Sequence, residues 1–211
     1  MTDHVFAEED RVGAGRQPEL RDAQMLEKAL RKSLSTSPEA FLMTIEDLDA
    51  KGTDYWKKEM CSSTWAVIQS GDDVVGLAVA RWPDSEMDRE VDPATARFIE
   101  SVWVAPEFRG NRLAERLVRF LFEVERVKSP GVRRFLLWVF DKNDKAIRVY
   151  ERMGFRYVDR QNLPGQSDRA ELRYEYHLES DDWGVKAAQA AWRDELHTDG
   201  LVYRVLGEDT E

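Results

Sequence analysis

Apolar residues recur along this chain with two periods, one helical and one alternating, and the switches between them outline its elements. A helical stripe starts near Pro18 and runs through Leu20, Ala23, Met25 or Leu26, Ala29 or Leu30 and Leu34, until Ser35-Thr36-Ser37-Pro38 interrupts it. A second helical region over Thr44–Met60 carries Ile45, Leu48, Tyr55, Trp56 and Met60, with Gly52 marking a break. Strand-like runs follow at Thr64–Gln69 and Val74–Trp82, and the Ser70-Gly71-Asp72-Asp73 turn between them signals a hairpin. Phe98, Ile99, Val102, Trp103 and Val104 predict a third strand; after a sharp turn at Pro106 and a basic loop, Leu113, Leu117, Phe120 or Leu121 and Val124 return to helical spacing. Arg134–Phe140 reads as a strand, and Asn143 opens a short helix with Ala146, Ile147, Tyr150 and Met153 along one side, capped by Gly154. A short strand is expected over Phe155–Val158 and a loop over Leu163–Gln166. Glu171–Leu178 then alternates, with Leu172, Tyr174, Tyr176 and Leu178 on one face and Glu171, Arg173, Glu175 and His177 on the other.

The ends of the chain differ from this core. Met1–Gln17 is polar and aperiodic, and reads as an arm over residues 1–18 with an edge strand near Val12. Residues 19–179 form the expected domain. Residues 180–211 read as an extension that packs on the domain or on a partner subunit, with a helix over Ala187–Leu196 and a strand over Leu201–Leu206 apolar enough to pair with a sheet edge. A homodimer is compatible with that tail and is not required by it. Helices first, then strands and helices mixed, predict an α/β (α+β mixed) fold around one central sheet.

Composition narrows the function only slightly. The chain has 211 residues, enough for one well-buried domain with appendages, and its 42% apolar and 34% charged content is that of a soluble globular protein. No run of apolar residues is long enough for a membrane span, and the N-terminus lacks the pattern of a signal peptide. A single cysteine, Cys61, has no disulfide or metal-site partner; it is expected to be a buried, inert thiol, and a cytoplasmic setting follows. A net charge of −10 counts against a nucleic-acid surface and suits either solubility or attraction of a cationic amine. His4, His177 and His197 are isolated, and no metal site is expected.

The chemistry concentrates in Arg97–Ala114. A strand feeding a glycine-containing loop and then a helix gathers free backbone N–H groups and the positive end of a helix dipole, which suits a phosphate. No Gly-Lys-Ser/Thr follows, so this is not a Walker loop, and a single glycine does not make the dinucleotide GxGxxG pattern. The loop resembles the acetyl-CoA signature of the GNAT (Gcn5-related N-acetyltransferase) superfamily, Arg/Gln-x-x-Gly-x-Gly/Ala, with Arg109 in the first position and Ala114 in the last. A second stretch is similar to the same family: Asn143, Ala146, Tyr150, Gly154 and Phe155 fit its Asn-x-x-Ala-x-x-x-Tyr-x-x-x-Gly-Phe pattern. The resemblance covers roughly Leu20 to Leu178. One departure is Arg112, which stands where the family has its first loop glycine; glycine there allows close backbone approach and unusual φ, whereas an arginine offers a guanidinium to a phosphate or points to solvent.

The resemblance implies a mostly antiparallel mixed sheet, splayed between two central parallel strands and flanked by helices. It implies direct acyl transfer from acetyl-CoA to an amine. The pantetheine arm would pair with main chain near Val102, Trp103 and Val104 in the gap between the strands at Glu100–Val104 and Arg134–Phe140, where one N–H would polarise the thioester carbonyl. The backbone of Arg109, Gly110, Asn111, Arg112, Leu113 and Ala114 would hold the pyrophosphate, with Asn143 and Ala146 beside the pantetheine; Asn143 also reads as a plain helix cap. Tyr150 fits the family's acid, a phenol that protonates the leaving thiolate, and also fits an aromatic core position. Glu100 is the candidate base or else a polar-face strand residue, and Asp141 is a third-rank alternative.

By the same resemblance the acceptor pocket involves Phe41, Tyr55, Trp56, Trp82 and the acidic Pro83–Pro93 loop, a set suited to a cationic amine with an apolar body. Helical aromatics are also ordinary core residues, and acidic loops are ordinarily solvated. Three functions remain open: N-acetylation of a small amine, acetylation of a protein or peptide N-terminus or lysine, and a noncatalytic acyl-CoA-binding or interaction module.

Overall fold

The computed structural model describes residues 20–85, 88–163, 165–178, 196–198 and 200–206. The expected arm over residues 1–18 and the expected helix from Ala187 to residue 195 lie outside these. Five helices and eight strands are described: α1 (Leu20–Thr36), α2 (Ile45–Asp49), α3 (Thr53–Ser62), β1 (Ser63–Ser70), β2 (Asp73–Arg81), β3 (Ala96–Val104), α4 (Leu113–Lys128), β4 (Arg134–Phe140), α5 (Asp144–Met153), β5 (Arg156–Leu163), β6 (Gln166–His177), β7 (Leu196–Thr198) and β8 (Leu201–Val205). Short 3₁₀ turns at Pro38–Ala40 and Pro106–Phe108 punctuate the connections.

The strands form one mixed sheet in the order β5-β6-β4-β3-β2-β1-β8-β7. Only β3 and β4 run parallel; every other neighbouring pair is antiparallel. β1 and β2 are buried almost without alternation, as expected of strands covered on both faces. α1 turns Ala23, Leu26, Ala29, Leu30 and Leu34 inward, so Leu26 and Leu30 are the members of the stripe that pack. α4 likewise buries Leu113, Leu117, Leu121 and Val124. The break at Gly52 separates α2 from α3, and Thr44 starts α2 with a reciprocal capping box to Asp47.

The tail strand β8 pairs with β1, Ala66 opposite Val205 through Gln69 opposite Val202, and buries the Tyr203 ring against Phe120 of α4. Leu196 begins β7 rather than ending a helix. β5 runs to Leu163, beyond the expected Val158, because it forms a hairpin with β6; all of its residues except Leu163 are exposed, so it has no apolar alternation to announce it. Cys61, in the last turn of α3, is exposed, which corrects the expectation of a buried thiol.

Candidate active site

The parallel β3–β4 pair holds together only at its start. Ala96, Arg97 and Phe98 lie opposite Arg134, Phe135 and Leu136, and no register continues beyond them. Leu137–Phe140 pairs only with β6, on its other edge. β3 meanwhile stays on β2, but with a bulge: Leu77 faces Trp103 and Val79 faces Glu100, so Ser101 and Val102 share the place of one partner. Ser101 sits at φ 54°, a left-handed value uncommon outside glycine, and this is where the strand changes course. The Ala105 N–H donates to Val75 O of β2 at 2.9 Å. By the two-residue alternation of a strand, Trp103 also faces β2, and Val102 and Val104 turn their main-chain groups into the gap.

At the end of β3 the chain passes through Gly110 (φ 87°) to α4. Arg112 is the residue before the helix and adopts φ 57°, ψ 22°. The position where the family carries glycine therefore keeps the left-handed geometry with an arginine in it. Arg116 N–H donates to Arg112 O, so the N–H groups of the turn before it have no partner within the helix. Arg109 does not extend its side chain outward: its Nε donates to Val104 O at 3.0 Å and its Nη2 to Ser37 Oγ at 2.7 Å. It ties the end of β3 to the end of α1. Trp103 makes a parallel tie, its Nε1 donating to Thr36 Oγ1 at 3.1 Å.

α5 begins at the same end of the sheet. Asn143 caps it, its Oδ1 accepting from Ala146 N at 3.2 Å, while its own N–H donates to Phe140 O. The cap uses the amide oxygen, and the amide NH₂ makes no hydrogen bond among the described residues. Tyr150, two turns along, is buried beside Phe155, and desolvation pushes its phenol well above its ordinary value, so it stays protonated at neutral pH. Its hydroxyl makes no hydrogen bond among the described residues. Gly154 closes the helix at φ 101°, a conformation that disfavours any side chain. A groove of about 640 Å³ runs along the start of α5, with Glu39, Phe140, Asn143, Lys145, Arg148 and Arg169 among its lining. Arg169 joins its far wall to the 3₁₀ turn after α1, donating to Glu39 O at 3.3 Å and lying over the Phe140 ring.

The opposite face of the sheet carries the carboxylates. Arg97 and Phe135 face α4, since Arg97 binds Glu125 and Phe135 stacks on Phe122. Alternation therefore puts Phe98, Glu100, Leu136, Trp138 and Phe140 on the other face. Glu100 is held by Arg81, whose Nε and Nη2 both lie 2.9 Å from Oε1, and Arg81 also binds Asp88. Glu171 of β6, opposite Phe140, shares this face. It is only 8% exposed, and one carboxylate oxygen accepts from Gln161 Nε2 at 3.2 Å. Burial first, and the nearby negative charge of Glu100 as well, raise its proton affinity above that of an ordinary carboxylate. The alternation of β6 marked Glu171 only as one of four polar-face residues; the signal that it lies in a covered site is tertiary. Asp141 is ion-paired with Arg160 at 3.2 Å.

The four residues expected around an acceptor do not converge. Phe41 lies in the loop after α1, partly buried against the core, with Leu42 beside it 55% exposed. Tyr55 is half-exposed, with Lys51 over its ring at 3.7 Å. Trp56 is buried to 1% in the main core and offers no ring face to a ligand. Trp82 follows Arg81, which pairs with Phe98, so it lies at the closed end of the β3–β4 pair, under the Arg97 guanidinium. Trp56 and Trp82 are thus corrected: an aromatic on an amphipathic helix packed inward, and the strand register put the other at the wrong end. The acidic loop is also engaged, Asp88 by Arg81 and Glu90 by Arg173.

Together these features define an α/β sheet splayed between two parallel strands, with a helix start at the opening. The chain belongs to the GNAT acetyltransferase family: the family's model, described as "Acetyltransferase (GNAT) family", matches residues 27–155. The mycothiol acetyltransferase of Corynebacterium efficiens is 30% identical over 105 residues, 47% of this chain and 32% of that protein. The thialysine N-epsilon-acetyltransferase of Sus scrofa is 32% identical over 59 residues, 28% of this chain and 34% of that protein. The chain spans about a third of the length of these relatives. Among solved structures, yncA of Salmonella typhimurium with acetyl-CoA superposes with a TM-score of 0.58 at 15% identity, over 80% of this chain and 95% of that one. The chain has the GNAT fold.

Proposed function

We propose that the chain transfers an acetyl group from acetyl-CoA directly to a primary amine, most simply that of a small molecule. The observation that carries this is the gap between β3 and β4, next to the start of α4, where among the described residues the Val102 main chain and the Val104 N–H have no β4 partner and Val104 O is held by Arg109. An extended amide-bearing arm fits such an edge as an added strand would. The N–H groups of Leu113 and Ala114, with the helix dipole, suit the pyrophosphate, and the Asn143 amide NH₂ suits a pantetheine carbonyl. The fit holds although Arg109 is turned inward, because its main chain stays in the loop. Bound there, acetyl-CoA supplies a thioester carbon open to attack. The N–H of Val102 or Val104 then faces the carbonyl oxygen, where charge develops. Tyr150 supplies a proton to the departing sulfur, and the carboxylates on the opposite face receive the amine's proton. One of the curated relatives is named for an amine, thialysine N-epsilon, which favours a small acceptor over a protein.

The test is thermal shift with CoA and acetyl-CoA, followed by thiol release across a panel of amines. Stabilisation by both ligands and thiol release with a small amine is the expected result. Release only with peptides moves the acceptor to a protein, and stabilisation with no release on either panel leaves an acyl-CoA-binding module.

A further inference from the structure

We propose that Glu171, and not Glu100, receives the proton of the acceptor amine, with Glu100 serving as the fixed negative charge that draws the ammonium in. The assignment rests on the amine-acetyltransferase reading above and says which of its two carboxylates does which task.

The two groups share the face opposite α4 but are held in contrasting ways. Glu100 is 40% exposed at its side chain and bound through one oxygen by both Nε and Nη2 of Arg81. Its Oε1 is thus already engaged in a two-donor, charge-assisted pair. Glu171 is nine-tenths buried, has no ion pair among the described residues and takes a single hydrogen bond from a neutral amide, Gln161. Its surroundings are those of a general base rather than of a structural anion. On β4 it lies opposite Phe140 in the register, on β5 it binds the uncharged Gln161, and on β3 it feels the like charge of Glu100. On β6 itself Arg169 lies over Phe140, and Arg173 is bound by Glu90. Burial raises its affinity for a proton, the Gln161 hydrogen bond lowers it, the Glu100 charge raises it again and Arg169 opposes, with a net upward direction. A base poised nearer to neutrality is the better partner for an ammonium.

The proton balance is closed. Glu171 carboxylate takes one proton from R–NH₃⁺, directly or through one water, and becomes the acid. The freed nitrogen lone pair forms the C–N bond, and the C–S bond breaks with its electron pair on sulfur. Tyr150 gives its proton to that sulfur and recovers one from the amide-forming nitrogen. Glu171 then releases its proton to solvent, so one proton leaves per turnover.

Full-length wild type, Glu171→Gln and Glu100→Gln are compared on an amine that the wild type turns over, by thiol release from pH 6 to 10. Melting temperature with and without CoA serves as the folding control. Glu171→Gln should lose about 10²-fold in kcat near neutrality, recover as pH rises and the amine deprotonates itself, and lose much less on an acceptor whose nitrogen is already neutral, such as a hydrazide. Glu171→Asp should restore part of the rate. Glu100→Gln should chiefly raise KM for the cationic amine. A Glu171→Gln enzyme with the wild-type rate and pH profile overturns the assignment, as does a loss equal on cationic and neutral acceptors. If wild type releases no thiol with any amine, the transferase reading falls first, and the proton assignment with it.

Discussion

The two ends of the β3–β4 pair use polar residues in opposite ways. At the closed end Arg97 is 2% exposed and fully partnered: Nε on Glu125 at 2.7 Å, Nη2 on Ser129, and Nη1 on the carbonyls of Pro93 and Ala96. Glu125, 0% exposed, is completed by the Thr64 hydroxyl. Desolvation lowers the proton affinity of Arg97, and the Glu125 charge partly restores it, so each group depends on the other. At the open end the strands separate after Phe98, Ser101 holds a left-handed backbone, and the Tyr150 hydroxyl and Asn143 NH₂ make no protein hydrogen bond among the described residues. Polar capacity saturated by the protein is architecture. Polar capacity left over beside a gap is where a ligand finds partners.

Breaking the closed end should give the largest effect. Glu125→Ala leaves a buried guanidinium without its counter-charge and is expected to cost about 3–5 kcal/mol, read as a lower urea midpoint, with activity falling in step with the folded fraction. Activity lost without loss of stability would show that the two ends are not separable.

At the open end the order of effects reverses. Tyr150→Phe is expected to lower kcat by about 10²-fold or more while leaving the neutral-pH melting temperature close to wild type. Burial raises the phenol's proton affinity in the folded chain above its unfolded value of about 10. The stabilisation this represents is complete below that pH and is lost as pH rises through the folded value. Tyr150→Phe should therefore resist alkaline unfolding better than wild type, and a shared alkaline midpoint would show that another group sets it.

How much of this was legible in the sequence follows the same division. The loop at Arg109–Ala114 and the Asn143–Phe155 run were readable because each is a local pattern tied to a local geometry. The helix stripes of α1 and α4 were readable for the same reason. The bulge at Ser101 was not, because no residue type demands it; nor was the length of β5, whose residues up to Asn162 are all exposed. Trp56 and Trp82 were misplaced because aromatic character says nothing of which face or which end of a strand pair a ring occupies. Nothing in the sequence linked Arg97 to Glu125, 28 residues apart, which β3 and α4 pack together. Glu171 was hidden in an alternating strand whose polar face turned out to be partly covered.

A smaller effect belongs to Asn143, which serves both the fold and the proposed site. Asn143→Ala removes the cap on Ala146 N and should cost about 1 kcal/mol of stability. Asn143→Asp keeps the capping oxygen and removes the NH₂. If the amide also contacts the ligand, Asp should match wild type in melting temperature but bind CoA more weakly; equal CoA affinity would confine Asn143 to capping.

The smallest stability change is expected at Arg112, where the two kinds of role meet in one residue. A non-glycine residue at φ 57° carries a local penalty of about 1 kcal/mol, which Arg112→Gly removes. Glycine also has more freedom to lose on folding, by roughly the same amount, so the two terms offset and the apo melting temperature should move little. Ligand binding does not share that cancellation. A guanidinium beside the start of α4 adds a positive charge where a pyrophosphate would sit, so Arg112→Gly should weaken CoA binding and reduce its dependence on salt. Arg112→Lys keeps the charge and the strained backbone but loses the planar fork, and should fall between the two. CoA affinity measured at two ionic strengths for the three proteins separates the contributions. If Arg112→Gly binds CoA more tightly at both, the arginine obstructs the loop rather than serving it, and close backbone approach is what the site requires.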